Sequence, residues 1–170
     1  MTLAEVLGPN NLFHDELFGV SAIYPDGWSV DNATRWGTNN AENTVFLVPP
    51  EPSKARPSMY YQKFRDGVPP PGTEEDYLRT SAQSKENSRS GNGANDYKNV
   101  PGSFAYTEVG GHPSLSYSAV YTQGDKVMTE YFVRILGKET YVMFFVRGTP
   151  EDVQALVPQV NQMAATVQVP

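Results

Sequence analysis

Extended apolar segments separated by short polar links fill the second half of the chain. They cover residues 104–109, 115–122, 126–136 and 141–147, and each link between them contains glycine. A parallel return would need a connection of about a dozen residues, so links this short favour antiparallel hairpins. The pattern therefore predicts a four-stranded meander.

The last of these segments is apolar on both faces. Its alternate side chains form two sets, Tyr141, Met143 and Phe145 on one side and Val142, Phe144 and Val146 on the other. A strand needs two apolar faces only when layers cover the sheet on both sides. We therefore expect this segment to be a central strand of a sheet that is covered twice.

A helix is predicted directly after the meander, over residues 150–165. Thr149 can cap its first turn, and Pro150 suits the first helical position. Apolar side chains then recur at spacings of three and four, at Val153, Leu156, Val160, Met163 and Ala164. Pro158 lacks a backbone donor and clashes with the preceding turn, so we expect a kink or a split there.

A second helix is predicted over residues 74–85, where Thr73 can act as the cap. Few of its inward-facing side chains are large, so burial stabilises this helix only weakly. The segment that follows, residues 86–103, is rich in Asn, Ser and Gly and contains almost no apolar residue. Such a segment cannot offset the entropy of ordering by burial, and we expect a long mobile loop.

The first half of the chain adds strands to this sheet. Apolar segments at residues 17–24, 44–48 and 58–64 are bounded by Pro-rich and Gly-containing turns. We interpret residues 1–16 as an N-terminal arm and residues 17–170 as one domain. The predicted fold class is α+β, with a central antiparallel sheet made of the C-terminal meander and the N-terminal strands.

Composition and charge exclude several classes of function. The chain has 170 residues, a net charge of -6 and no cysteine. The acidic balance argues against nucleic acid as a partner, and the absence of cysteine excludes disulfides and thiolate chemistry. No stretch approaches the roughly 18 apolar residues of a transmembrane segment. We expect an exported protein, periplasmic or extracellular, whose signal has been removed; a cytoplasmic location is the alternative.

One stretch carries a family resemblance. The run Phe18-Gly19-Val20-Ser21-Ala22-Ile23-Tyr24-Pro25-Asp26-Gly27-Trp28, followed by a meander and a final helix, resembles the PsbP-like superfamily. That group takes its name from an extrinsic subunit of photosystem II and includes Ran-binding Mog proteins and uncharacterised bacterial exported proteins. The resemblance implies that the chain folds as an α/β/α sandwich. It also implies that the chain is an uncharacterised bacterial member of this superfamily. It implies no catalytic residues, because the family shares no catalytic constellation.

The histidines offer little chemistry. His14 and His112 are the only two in the chain, and two histidines cannot fill a typical zinc site, so we predict neither a metal nor a cofactor. His112 lies in a predicted hairpin corner, where a turn residue is the simpler interpretation. A cross-strand ion pair between Glu130 and Arg147 is the simplest explanation of those two charges.

Three hypotheses about the function are compatible with the sequence. The first is a non-catalytic binding or accessory domain for an unknown protein or small ligand. The others are a small hydrolase or lyase with a site near His112, and a carrier of a small ligand. Aromatic side chains in strands, together with that histidine, form the predicted binding surface: Tyr60, Tyr61, Tyr106, Tyr117, Tyr121 and His112. The sequence predicts neither the oligomeric state nor the partner.

Overall fold

The structure, a computed structural model, describes residues 11–36, 42–51, 54–64, 67–89 and 94–170. Its elements follow one another along the chain as β1 (Leu12–Asp15), β2 (Val20–Ile23), β3 (Ser29–Trp36), β4 (Glu42–Val48), β5 (Arg56–Lys63), α1 (Glu74–Arg89), β6 (Asn95–Asn99), β7 (Ala105–Val109), β8 (His112–Gln123), β9 (Lys126–Leu136), β10 (Thr140–Gly148) and α2 (Pro150–Ala164). A single 3₁₀ turn, Pro101–Ser103, precedes β7.

The strands form one large antiparallel sheet and a separate hairpin. The sheet order is β3-β4-β5-β10-β9-β8, and the outer edge of β8 pairs with β6 along one part and with β7 along another. The hairpin consists of β1 and β2, so the prediction that the segment at residues 17–24 adds a strand to the large sheet is wrong. The predicted meander is confirmed as β7-β8-β9-β10, and the N-terminal strands β3, β4 and β5 extend it beyond β10.

Helices cover the sheet on both faces, as the alternation in β10 predicts. On one face, α2 packs on β9 and β10, with side chains such as Phe144 and Val146 in the core. On the other, α1 packs on β8 and β6, above a core that includes Tyr117 and Phe132. The α/β/α sandwich is therefore confirmed.

The helix α2 begins as predicted but is not broken. Thr149 Oγ1 accepts a hydrogen bond from the backbone nitrogen of Asp152 at 3.3 Å. Pro158 lies inside one continuous helix, so the predicted split is wrong, while a kink stays a prediction. Pro158 and Gln154, whose carbonyl loses its helical partner, are both exposed. Water can therefore donate a hydrogen bond to the Gln154 carbonyl, and the loss of the helical hydrogen bond lowers the stability of the helix little.

The prediction of a long mobile loop over residues 86–103 is also wrong. The helix α1 continues to Arg89, and β6 pairs with β8. Burial of Tyr97 stabilises β6. Asn99 joins β6 to α1 by donating two hydrogen bonds: its backbone nitrogen donates to Glu86 Oε2 at 2.5 Å and its side-chain nitrogen to the Ala82 carbonyl at 3.1 Å. Residues 90–93 of the predicted loop lie outside the described residues.

The β1–β2 hairpin is fastened by a buried carboxylate. Asp15 Oδ1 accepts from the backbone nitrogens of Leu17 and Phe18, and Oδ2 accepts from Asn43 Nδ2 at 3.1 Å and from the Tyr61 hydroxyl at 2.7 Å. Burial raises the pKa of Asp15, but these donors outweigh it and hold the pKa below its ordinary value. Strand β1 occupies part of the predicted arm, whose residues 1–10 lie outside the described residues.

The motif Tyr24-Pro25-Asp26-Gly27-Trp28 is structural. It forms a tight turn in which the Trp28 backbone nitrogen donates to the Pro25 carbonyl at 3.2 Å, and Gly27 adopts a positive φ of 79°. Tyr24 and Trp28 then pack against the core beneath α2. The motif thus turns the chain from β2 into β3 and places two aromatic rings under one helix.

The last residues of the chain lie against the β9–β10 turn. The Glu139 backbone nitrogen donates to the Pro170 carbonyl at 3.0 Å. A Cβ added at Gly137 would stand 2.5 Å from that carbonyl oxygen and 2.7 Å from the Thr140 oxygen. Only glycine fits this close approach between backbones.

We expect Gly137→Ala to lower the free energy of unfolding by about 1–3 kcal/mol, because backbone atoms must move to admit the methyl group. Gly102→Ala is the matched control, since a Cβ there meets nothing within 4 Å. Urea denaturation of both variants measures the difference. Equal midpoints for the two variants would show that the close approach at Gly137 does not constrain the fold.

Candidate functional site

The helix α1 covers only part of its face of the sheet. It packs on β8 and β6, and among the described elements none packs in the same way on the α1 side of β10, β5 and β4. We call this region the open face. It consists of Phe46, Tyr60, Met143 and Phe145, with Arg56 and Arg147 at one end.

Register places these side chains on one surface. Across the sheet, Tyr117 lies opposite Phe132, Phe132 opposite Phe145, Phe145 opposite Ser58, and Ser58 opposite Phe46. Directly opposed residues of antiparallel strands share a face. The row therefore begins beneath α1 and continues onto the open face, where Phe46 is 37% exposed.

Aromatic rings stack along the covered part of this row. Phe104 and Tyr117 are nearly parallel, with centroids 4.9 Å apart, and Tyr117 and Phe132 follow at 4.8 Å. Phe145 continues the row at 6.3 Å from Phe132. Because stacked rings fix one another's orientation, the covered core positions the half-buried Phe145 on the open face.

A buried carboxylate lies beside the ring row. Glu130 is fully buried, and its Oε1 accepts from Arg147 Nε at 2.5 Å and from Arg89 Nη2 at 3.3 Å. Its Oε2 accepts from the Tyr97 hydroxyl at 2.8 Å. Since Glu130 and Arg147 stand directly opposite each other, the predicted cross-strand ion pair is confirmed. Burial, together with the charge of Glu130, raises the pKa of Tyr97 well above its ordinary value.

A second buried charge, Arg134, is paired with tyrosines. Its Nε donates to the Tyr117 hydroxyl at 3.1 Å and its Nη1 to the Tyr141 hydroxyl. Its guanidinium also lies over the rings of Tyr117, Phe132 and Tyr141, at 5.7 to 5.9 Å from their centroids. Burial raises the pKa of Tyr117 to about 12, so this tyrosine stays protonated at neutral pH.

The six side chains of the predicted binding surface are dispersed. Tyr60 lies on the open face, where its hydroxyl forms hydrogen bonds with the side chains of Glu42 and Gln62. Its neighbour Tyr61 points into the core on the opposite side of the sheet. Tyr117 and Tyr121 are buried beneath α1, and Tyr106 is exposed on β7. Of the predicted residues, only Tyr60 belongs to the open face, and a role of these six side chains in binding stays a prediction.

Phe46 and Arg56 belong to the open face, although no local sequence pattern indicates it. Phe46 lies within the apolar segment 44–48. Its neighbours Val45 and Leu47 are apolar too, so no alternation of polar and apolar residues indicates that Phe46 is exposed. Arg56 follows a Pro-rich segment, where a solvated surface charge is the simplest interpretation of an arginine. Only the cross-strand register, which brings both to the face that carries Phe145, reveals their common surface.

His112 lines a cleft of about 240 Å³ at the first turn of α1. Glu74 and Lys138 contribute polar groups, and Leu136 and Val68 contribute apolar ones. The described lining contains no serine, threonine or cysteine that could act as a nucleophile. Within the described ranges no group of three or more His, Cys, Asp or Glu could hold a metal ion.

We expect Glu130→Gln to destabilise the fold by about 2–4 kcal/mol, because the substitution leaves Arg147 and Arg89 without their counter-charge. Glu75→Gln is the control, since Glu75 pairs with Arg79 at the exposed surface of α1, where a pair contributes about 0–1 kcal/mol. Chemical denaturation measures both. A loss for Glu130→Gln no larger than that for Glu75→Gln would contradict the stabilising role of the buried carboxylate.

Comparisons with known proteins identify the fold. No family model matches the sequence, and the comparison with curated proteins gives no match either. Among solved structures, the chain is similar to cyanobacterial PsbP (CyanoP) of Synechocystis sp. PCC 6803, with a TM-score of 0.65 and 12% identity over 94% of this chain and 91% of the other. None of the helices in the described ranges is long and apolar enough to cross a membrane.

Two further structures support the same assignment. LpqN of Mycobacterium tuberculosis, a protein involved in cell envelope biogenesis, gives a TM-score of 0.60 at 10% identity, with 100% of this chain and 98% of the other covered. PA94 of Pseudomonas aeruginosa, a protein of unknown function, gives 0.53 at 14% identity over 94% and 95% of the two chains. With its sheet order, two covering helices and these likenesses, the chain has the PsbP-like fold.

Proposed function

We propose that the chain is a non-catalytic binding domain that docks a protein partner on the open face. The observation that carries the proposal is a surface of aromatic and arginine side chains that the described helices leave uncovered. Aromatic residues and arginine are the side chains that contribute most to binding energy in protein interfaces. Phe46, Tyr60 and Phe145 supply the aromatic part, and Arg56 and Arg147 supply the cationic part.

The charges of the open face favour an acidic partner. Arg147 and Arg56 stand directly opposite each other on β10 and β5. Like charges in this position repel each other, and of the two only Arg147 has a carboxylate partner within the described residues. An acidic group brought by the partner would relieve the repulsion, and apolar side chains beside it would pack on Phe46 and Phe145.

An accessory role and export are parts of the same proposal. The likeness to LpqN, a protein of cell envelope biogenesis, supports a place in the envelope. Fractionation of cells of the native organism tests export separately from docking. Recovery of the protein in the cytoplasmic fraction alone would count against export.

Site-specific photocrosslinking tests the docking surface. We expect p-benzoylphenylalanine in place of Phe46 to capture a partner in the native organism, because that side chain projects from the open face. The same group in place of Val127, which is 57% exposed in the β8–β9 hairpin, is the control. Mass spectrometry identifies the captured proteins from each position.

Adding Arg56→Glu to the crosslinking variant checks the charge argument. The reversal should reduce capture by about tenfold, since it replaces attraction of an acidic partner by repulsion. Identical captured proteins from positions 46 and 127, or undiminished capture with Arg56→Glu, would overturn the proposal.

A further inference from the structure

Three cations gather around one carboxylate at the C-terminal end of α1. Arg89 and Arg147 both donate to Glu130 Oε1, so their guanidinium groups lie close together. Lys85, one turn before Arg89 on α1, places its ammonium 5.2 Å from the centroid of the Phe132 ring. In a chain whose net charge is -6, this is a local excess of positive charge.

The three side chains retain donors that the described residues do not use. The Lys85 ammonium contacts an aromatic ring and forms no hydrogen bond with a described acceptor. Arg89 Nε is buried without a hydrogen-bond partner. Arg147 binds Glu130 through Nε alone, which leaves both terminal nitrogens available, and its side chain is 42% exposed.

From these donors and this charge we propose that Lys85, Arg89 and Arg147 bind a phosphate group, free or as a small monoester. Guanidinium groups match phosphate oxygens in paired geometry, and an ammonium adds a point charge. Glu130 is then a positioning residue, because it aligns the two arginines without contacting the ligand. The anion would enter past Arg147, the most exposed of the three side chains.

The charges around Lys85 agree with this assignment. Burial lowers the pKa of Lys85; Glu130 raises it, and the guanidinium groups of Arg134, Arg89 and Arg147 lower it further. A bound phosphate would oppose the three guanidinium charges and would satisfy donors that are costly to leave unpaired when buried. The site does not depend on the docking proposal, because a free anion can occupy it when no partner is present.

Calorimetric titration of the purified protein with inorganic phosphate, at low ionic strength and neutral pH, tests the site. We expect saturable binding at one site. Lys85→Gln should weaken it by about tenfold or more, because a charge-assisted hydrogen bond is lost. Lys126→Gln removes the same charge from the exposed start of β9 and should change the affinity little.

A conservative variant and an NMR readout separate loss of phosphate binding from loss of folding. Lys85→Arg retains the charge and should retain most of the affinity, while circular dichroism verifies that each variant is folded. The arginine Nε–H resonances should shift with phosphate for Arg89 and Arg147 and not for the exposed Arg79. Parallel titration with phosphoserine distinguishes the two sources of the group, since a monoester site should bind it at least as tightly as inorganic phosphate.

Absence of saturable phosphate binding would overturn the proposal. So would equal weakening by Lys85→Gln and Lys126→Gln, which would indicate general electrostatic attraction. Either failure would leave the docking proposal standing, since photocrosslinking at position 46 measures a different event.

Discussion

The buried carboxylate of Glu130 is the constraint around which the α1 side of the molecule is arranged. A carboxylate without water requires close cationic or hydrogen-bonding partners. Here the partners come from three elements: Arg147 from β10, Arg89 from α1 and Tyr97 from β6. One side chain of β9 thus joins a neighbouring strand, an edge strand and a helix.

The two faces of the sheet are consequently stabilised by different forces. The helix α2 is attached by apolar burial, through Val153, Leu156, Val160, Met163 and Ala164. The helix α1 buries only Leu78 and Ala82. Its remaining attachment comes from cation–aromatic contacts of its basic side chains and from the ion pair of Arg89 with Glu130. The functional proposals belong to this second face, since aromatic rings and cations at its margin can contact a ligand as well as the helix.

Local patterns predict the elements, and long-range packing decides the rest. The meander follows from short Gly-containing links, and the pairing of Glu130 with Arg147 follows from strand alternation. Strand β6 has too weak a local pattern, because its order depends on the burial of Tyr97 and on bonds from Asn99 to α1. The open face could not be predicted from the sequence either. Its extent depends on where α1 packs on the sheet, and long-range contacts determine that position.

The unequal attachment of the two helices has a dynamic consequence. The helix α2 buries five side chains and α1 buries two, so fewer apolar contacts must be lost before α1 opens. The backbone amides of α1 should therefore open to hydrogen exchange at a lower free energy than those of α2. The molecule would then behave as a rigid half, α2 with its face of the sheet, that carries α1 as a less stable layer.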